Sequence, residues 1–218
     1  MTGDERALRE AVIATAMGMH AAGINRGKSG NVSGRWRTSG FDGFLVTPTG
    51  LPYAQTSCDD IVSMTMDGDA HGMRKPSSEW RFHRDIYRTR PEVAAVVHTH
   101  APFATTLACM QRSIPAFHYM VAVAGGRDIR CAPYATFGTQ ALSDHAITAL
   151  DGRNACLLAH HGMIAIGGTL DRALALAVEV ETLAEMYWRT LLLGEPELLA
   201  DDEMATVVEK FRTYGQPE

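Results

Sequence analysis

The chain has 218 residues, of which 46% are hydrophobic and 21% charged, and this composition is typical of a folded globular protein rather than a disordered one. Its 25 acidic and 20 basic side chains give a formal net charge of −5 without a run of Lys or Arg, so the charge pattern argues against nucleic-acid binding. No apolar run approaches the roughly 18 residues of a membrane-spanning helix.

The use of cysteine and lysine narrows the class of protein further. The four cysteines have no CxxC spacing, and residues 1–10 are charged and lack the apolar stretch of a secretion signal. We therefore expect free thiols and a cytoplasmic protein. The chain has only three lysines, Lys28, Lys75 and Lys210, and none lies in an apolar strand, which leaves no good candidate for a buried Schiff-base lysine.

The predicted elements mix helices and strands without regular alternation. The glycine-rich residues 23–34 are predicted to form a loop between the first helix and the first strand. Periodicity and turn residues predict the other elements in chain order. The first half of the chain is predicted to contain a helix at 4–22 capped by Thr2 or Asp4, a strand at 44–46 closed by a turn at 47–50, a strand at 60–66, a helix at 77–89, a strand at 93–97 and a helix from 102. The second half is predicted to contain a helix at 143–150, strands at 155–159 and 163–166, a helix at 171–193 capped by Asp171, and a helix at 202–214. We predict an α/β fold with a single domain over residues 1–218, in which a mostly antiparallel central sheet lies between two helical layers in a three-layer α/β/α arrangement.

The strongest local signal is His98-Thr-His100, which follows the apolar strand at 93–97 directly. Side chains at i and i+2 of a strand point to the same face, so the two imidazoles can converge on one ion. Neutral imidazole is a good ligand for Zn²⁺. The alternative is a pair of polar residues that face water at the end of a strand.

A third histidine ligand is expected from His160-His161-Gly162, which follows the other apolar strand. Adjacent residues usually point to opposite faces, so only one of His160 and His161 would join the pair, and the spacing alone does not choose between them. Three histidines with an open fourth position would form a catalytic metal site rather than a structural one.

Glu79 follows two serines and is predicted to lie in the first turn of its helix, where the helix dipole stabilises a carboxylate. A plain capping role is the alternative. His83 lies four residues further on and shares the helix face of Glu79. It is compatible with a second ligand pair or with an ordinary packing position.

Three segments combine small residues with hydroxyl or amide groups: residues 30–34, Thr49-Gly50 and Ser77-Ser78. Free N–H groups in turns and at helix N-termini bind phosphate, so these segments are candidates for a phosphate site. The chain has no GxxxxGK[ST] sequence, which excludes a nucleotide P-loop, and no GxSxG sequence to support a serine nucleophile.

Taken together, the motifs of this chain resemble those of the class II, metal-dependent aldolase/epimerase/adducin-head family. The resemblance extends from about residue 7 to the segment KFRTYG at 210–215. The motifs that carry it are GNVS (30–33), TPTG (47–50), PSSEWRFH (76–83), VVHTHA (96–101), SIPAFHYMVAVAGG (113–126), CAPYATFGT (131–139) and HHG (160–162).

The resemblance implies roles for several of the matched residues, and none for His83. It implies that His98, His100 and His161 hold one Zn²⁺ per chain, and that Glu79 is the acid/base and can also ligate the metal in the empty site. Tyr119 matches a tyrosine that acts from a neighbouring subunit of a homotetramer with C4 symmetry. The residues expected at the substrate are Asn31, Thr49, Gly50, Ser77 and Ser78 at the phosphate, and Phe137 and Tyr214 near the aldehyde end.

The activity implied by the resemblance is retro-aldol cleavage of a ketose 1-phosphate to dihydroxyacetone phosphate and an aldehyde. Implied substrates are of the L-fuculose 1-phosphate, 5-deoxyribulose 1-phosphate or 5-methylthioribulose 1-phosphate type. A dehydratase or sugar-phosphate 4-epimerase with the same metal site is the enzymatic alternative. The non-enzymatic alternative is a metal-free interaction module such as the adducin head. The partner expected is a small sugar phosphate, not a nucleic acid or a membrane.

Overall fold

The structure is a computed structural model and describes residues 2–213, so Tyr214 lies outside the described residues. The strands are β1 (Asn31–Thr38), β2 (Phe41–Val46), β3 (Val62–Thr65), β4 (Ala70–His71), β5 (Ala95–Thr99), β6 (Cys131–Ala132), β7 (Ala155–Leu158) and β8 (Gly162–Gly167). The helices are α1 (Gly3–Ala21), α2 (Trp80–Thr89), α3 (Pro102–Cys109), α4 (Gln140–Ala149), α5 (Leu170–Leu193) and α6 (Asp201–Thr213).

All of these strands join one sheet in the order β4-β3-β2-β1-β5-β8-β7-β6. Each neighbouring pair is antiparallel except β6 with β7, which confirms the predicted, mostly antiparallel sheet. The register places Asn31 of β1 opposite His98 of β5, and His98 opposite Ile164 of β8. Three adjacent strands in the middle of the sheet therefore meet at His98.

Helices cover both faces of the sheet, as the predicted three-layer arrangement requires. Successive strand residues face opposite sides, so Val97 packs in the core shared with α1, α3 and α5, while Val96 packs in the core beneath α2 and α4. Phe82 and Ile86 of α2 are buried in that second core. The alternation places His98 on the α2 side, because it is two residues beyond Val96.

The predicted loop at residues 23–34 is wrong at its end, because β1 begins at Asn31 and runs between β2 and β5. Gly34 does not form a turn. A Cβ at that position would lie 2.8 Å from Leu8 Cδ1, so the glycine lets α1 pack closely on the strand. Small residues in this stretch are typical of loops, but here one of them serves helix–sheet packing.

Helix α4 begins at Gln140 rather than at 143 as predicted, because Thr139 caps it. Two other predicted helix starts also need correction, while the predicted cap of α1 is confirmed. Helix α2 begins at Trp80 rather than Ser77, so Glu79 occupies the position before the helix instead of its first turn. Thr169 caps α5 through its hydroxyl, and Asp171 lies inside the first turn. Thr2 caps α1 as predicted. Across residues 2–213, no helix combines the length and apolar character needed to cross a bilayer.

Candidate active site

Three histidines from two neighbouring strand ends converge beside α2. His98 belongs to β5, His100 follows it, and His161 lies in the hairpin between β7 and β8. The Nε2 atoms of His98 and His100 are 3.2 Å apart, and the ligand atoms of all three rings lie within 4.8 Å of one another. The rings cross at 72–76°, so their edges rather than their faces meet. The structure thus brings together the three histidines predicted as metal ligands.

The hairpin conformation decides which of the two adjacent histidines reaches the cluster. His160 has a left-handed backbone with φ of 55°, and its Nε2 lies 3.2 Å from the Gln111 side-chain amide, away from the other histidines. His161 turns towards His98 instead. Gly162 allows this approach, because a Cβ there would lie 2.6 Å from the Thr99 carbonyl oxygen.

The donor set of this cluster fits a zinc ion. His98 donates its Nδ1–H to the Met163 carbonyl oxygen at 2.9 Å, so its Nε2 presents a lone pair to the cluster when the ring is neutral. Zn–N bonds of about 2.0–2.1 Å in a tetrahedral site set ligand nitrogens roughly 3.3 Å apart. The spacing of 3.2 Å between His98 and His100 agrees with that geometry. Three protein ligands would leave a position open for an oxygen of the substrate.

Glu79 lies on the same cluster, although it precedes α2 rather than belonging to it. Its carboxylate is buried and makes no capping bond; Oε2 is 3.2 Å from His98 Nε2, and Oε1 is 3.1 Å from His161 Nε2. Asn31 Nδ2 donates to Oε2 at 2.9 Å. Oε1 makes no hydrogen bond of good geometry with any residue in the described range 2–213. This oxygen is available to a metal or to a substrate proton.

The charges in the cluster shift its pKa values in opposite directions. Burial would raise the pKa of Glu79, but the charge of His98 and the close approach of the His161 and His98 rings outweigh it and hold this pKa well below its usual range. For His98, burial is outweighed by the Glu79 carboxylate, so its pKa is raised. Burial, followed by repulsion from His98 and His161, lowers the pKa of His100 to about 4. The carboxylate therefore stays ionised although it is buried.

The three candidate phosphate segments come together at the N-terminus of α2. Ser77 donates its backbone N–H to the Thr47 carbonyl oxygen at 3.0 Å, and Pro48 pairs with Pro76 in an antiparallel bridge, so the 47–50 turn lies along the serines. Gly50 has φ of 71°, which a residue with a side chain rarely adopts. Thr49, Gly50 and Ser78 are exposed, whereas Asn31 and Ser77 are buried beside Glu79.

A cavity of about 260 Å³ opens over the cluster. Its lining includes the polar residues Glu79, His100, His160 and His161 and the residues Tyr134, Ala135 and Phe137. Phe137, predicted to lie near the aldehyde end of the substrate, lines this cavity. Tyr134 and Ala135 were not singled out from the sequence, although they stand in the matched segment 131–139.

Tyr119 is not brought to this cavity by its own chain. It lies in the 3₁₀ segment Tyr119–Ala124, is half exposed, and stacks on Phe211 of α6 with ring centroids 6.4 Å apart. The surface around Tyr119 also includes Phe117 and Leu199. Tyr119 is therefore not among the residues that line the cavity over the histidine cluster.

Comparison with known proteins identifies the family. Residues 10–188 match the family described as Class II Aldolase and Adducin N-terminal domain. The chain belongs to this family. Together with close relatives that are named as aldolases, the match makes this protein a class II aldolase, a lyase of a metal-dependent family.

The relatives match nearly the whole chain. A protein of Rhodospirillum rubrum named 5-methylthioribulose-1-phosphate/5-deoxyribulose-1-phosphate aldolase is 59% identical over 99% of this chain and 96% of its own length. The L-fuculose phosphate aldolase of Escherichia coli is 49% identical over 95% of both chains. A solved structure titled L-fuculose 1-phosphate aldolase superposes with a TM-score of 0.89 at 37% identity, covering 97% of this chain and 98% of that one. These matches confirm the family and the fold expected from the motifs.

Proposed function

We propose that the protein cleaves a ketose 1-phosphate by a Zn²⁺-dependent retro-aldol reaction and releases dihydroxyacetone phosphate and an aldehyde. The observation that carries the proposal is the position of Glu79, which touches His98 and His161 and stands next to Ser77 and Ser78 at the start of α2. A metal site, an acid/base and a phosphate anchor then occupy one small region. We propose one zinc ion per chain, a single domain over residues 1–218 and a cytoplasmic location.

Glu79 has the geometry of an acid/base. Cleavage of the C3–C4 bond removes the proton of the C4 hydroxyl and leaves an enediolate of dihydroxyacetone phosphate. C3 takes up one proton in exchange, and Glu79, which is ionised before and after the reaction, passes that proton to C3. When bound by His98, His100 and His161, Zn²⁺ supplies a Lewis acid that stabilises the negative charge developing on the substrate oxygens. Oε1 of Glu79 lies 3.1 Å from His161 Nε2, so proton transfer and charge stabilisation occur within one cluster.

The phosphate group binds at the rim of the site in this proposal. Thr49, Gly50 and Ser78 offer exposed hydroxyl and backbone N–H groups, and the dipole of α2 favours an anion at its N-terminus. Asn31 and Ser77 lie deeper, towards Glu79. Binding energy from the phosphate would fix C2 and C3 relative to the acid/base, so the anchor contributes to cleavage and not only to affinity.

Tyr119 completes the site from a neighbouring subunit in our proposal. Its half-exposed ring lies outside the cavity of its own chain, which agrees with a contribution to another chain. A homotetramer with C4 symmetry would use this contact four times. The phenol would exchange a proton with the C4 hydroxyl, which becomes the aldehyde. Tyr214, which lies outside the described residues, and Phe137 would cover the aldehyde end.

The far end of the cavity suits a sugar with an apolar terminus. Tyr134, Ala135 and Phe137 offer apolar surface there, and Tyr134 and Phe137 are exposed enough to adapt to ends of different size. A 5-deoxy or 5-methylthio group needs no hydrogen bond. One methylene changes discrimination by only about 1–3 kcal/mol, so we propose overlapping activity on 5-methylthioribulose, 5-deoxyribulose and L-fuculose 1-phosphates.

A screen of these three sugar phosphates tests the proposal. The zinc-loaded protein is mixed with each compound, and dihydroxyacetone phosphate is detected with a coupled dehydrogenase. We expect release from more than one of them, with matched amounts of aldehyde. Release of water or a change of configuration at C4 would instead establish the dehydratase or epimerase alternative. Purified protein that binds no metal and turns over none of the sugars would favour an interaction module.

A further inference from the structure

A buried chain of hydrogen bonds connects Glu79 to the core beneath α2. Asn31 Nδ2 donates to Glu79 Oε2, and the other end of the Asn31 amide, Oδ1, lies 2.5 Å from His83 Nε2. His83 Nδ1 is 2.7 Å from Ser33 Oγ, which is 2.8 Å from the Tyr87 hydroxyl. Glu79, Asn31, Ser33, His83 and Tyr87 are all at most 5% exposed, so water does not compete for these bonds.

The direction of every bond in this chain follows from the carboxylate at its end. An ionised Glu79 only accepts hydrogen bonds, so Asn31 must turn its NH₂ group to it and its oxygen to His83. His83 then donates from Nε2 and accepts at Nδ1 from the Ser33 hydroxyl. The Ser33 hydroxyl gives its one proton to His83, so the single proton of the Tyr87 hydroxyl is shared between Ser33 Oγ at 2.8 Å and the Ser33 carbonyl oxygen at 3.0 Å.

His83 is neutral in this arrangement, so one ring nitrogen donates and the other accepts. Burial, followed by repulsion from His98, lowers the pKa of His83 to about 3. The ring is also held by stacking on Phe82 at 4.7 Å and on Phe44 at 6.5 Å between centroids. A neutral, immobile imidazole with Nε2–H directed at Asn31 prevents the asparagine amide from rotating.

We propose that His83 is a positioning residue for Glu79. By fixing the orientation of the Asn31 amide, it keeps the Asn31 NH₂ group donating to the acid/base carboxylate. The inference rests on the proposed function, because it assigns His83 to the residue that moves the C3 proton. Asn31 also borders the phosphate site, so the same contact fixes the phosphate end relative to the carboxylate. Without the Nε2–H donor, the amide could turn its oxygen towards Glu79 and repel it.

Two polar substitutions separate the two nitrogens of His83. The amide of His83→Gln reaches the level of Nε2 and can donate to Asn31. The amide of His83→Asn reaches only the level of Nδ1, so it can pair with Ser33 but not with Asn31. His83→Phe keeps an aromatic ring between Phe44 and Phe82 and removes both hydrogen bonds. We expect it to lose the same activity as His83→Asn, and it replaces that variant if His83→Asn does not fold. Tyr87→Phe is the matched control, because it removes a buried hydrogen bond at the far end and leaves Asn31 held.

Two rates are measured for each variant: cleavage of a ketose 1-phosphate, and exchange of the C3 proton of dihydroxyacetone phosphate with deuterium oxide when no aldehyde is present. Zinc content and thermal midpoint are measured alongside. We expect His83→Asn or His83→Phe to lower kcat and exchange by about 10–100-fold, with KM changed less than about 5-fold and zinc retained. His83→Gln and Tyr87→Phe should stay within about 3-fold of the parent protein.

Equal rates for His83→Asn and His83→Gln would overturn the proposal. It would also be overturned if the loss of kcat were proportional to the loss of thermal midpoint in every variant, including Tyr87→Phe. The parent protein distinguishes this failure from failure of the proposed function. If the parent releases dihydroxyacetone phosphate and catalyses exchange, only the role of His83 is rejected. If the parent does neither, the proposed function is rejected, and the role of His83 falls with it.

Discussion

Nε2 of His98 lies 3.2 Å from Oε2 of Glu79, although one residue stands in the central strand β5 and the other precedes α2. This contact joins the histidine cluster on the sheet to the start of α2, where we propose that the substrate phosphate binds. Removal of either side chain should therefore affect cleavage, but in different ways: the histidine through metal retention, and the carboxylate through proton transfer.

The adjacent histidines provide a matched test of the metal site. His161→Ala should lower zinc affinity by more than about 10-fold, because it removes one of three ligands. His160→Ala should retain full zinc content, since that ring contacts Gln111 instead of the cluster. Zinc is measured per chain after dialysis against a weak chelator. Loss of zinc from the His160 variant and not from the His161 variant would reverse the assignment.

Glu79→Gln should separate chemistry from metal binding. The amide keeps the size of the side chain and its place beside His98 and Asn31, so we expect the fold and most of the zinc to be retained. It cannot take up or deliver the C3 proton, and kcat should fall by about 10²–10⁴-fold. Steady-state kinetics and zinc content are measured on the same preparation. Turnover equal to that of the parent would reject Glu79 as the acid/base.

Asp60 should make stability depend on pH outside the active site. Hydrogen bonds from the Ser57 hydroxyl, Arg74 and the Ser57 backbone N–H lower the pKa of its carboxyl to about 2. Because the pKa is lower in the folded state, this stabilisation is present above the unfolded value of about 4 and disappears as the pH falls through about 2.

Asp60→Asn should therefore reduce the free energy of unfolding by about 1–3 kcal/mol at pH 7, and the difference from the parent should shrink between about pH 4 and pH 2. Urea denaturation at several pH values measures this difference. Asp59→Asn, at the exposed neighbouring position, is the control and should change little at any pH. A difference that stays constant from pH 7 to pH 2 would show that the Asp60 charge is not responsible.

Mixed tetramers test whether Tyr119 acts across a subunit interface. Tyr119→Phe and Glu79→Gln chains are each expected to be nearly inactive alone. If Tyr119 serves a neighbouring chain, some sites in a mixed tetramer combine an intact tyrosine with an intact glutamate, and activity should return. Native mass spectrometry confirms that the tetramers are mixed. Mixed tetramers without activity, or an active monomer, would place the tyrosine within one chain or remove its role.

Much of the site could be predicted from the sequence because its key residues are local. The His-Thr-His spacing after an apolar strand requires only the two-residue period of a strand. The choice between His160 and His161 could not be made that way, because the left-handed backbone at His160 interrupts the alternation. A positive φ is usually indicated in a sequence by a glycine, but the residue at this position of the hairpin is a histidine.

Contacts between residues far apart in the sequence could not be predicted from local sequence patterns. The bonds of Asn31 to Glu79 and to His83 span 48 and 52 residues, and they depend on β1 lying beside β5. The glycine-rich sequence favoured a loop where β1 begins, so its register and the partner of Asn31 could not be derived. A role for His83 could not be predicted for the same reason. The helical period indicates which helix face His83 lies on, but not that its ring contacts Asn31.

The central claim is that zinc bound by His98, His100 and His161 supports aldol cleavage of a ketose 1-phosphate. The most direct measurement is the rate of dihydroxyacetone phosphate release from 5-methylthioribulose 1-phosphate as zinc is added back to metal-free protein. We predict negligible release without metal, a rise in proportion to added zinc, and a plateau at about one zinc per chain, the capacity of one three-histidine site. Full release from metal-free protein, or no release at saturating zinc with any of the three sugar phosphates, would show that zinc at this site does not support the cleavage.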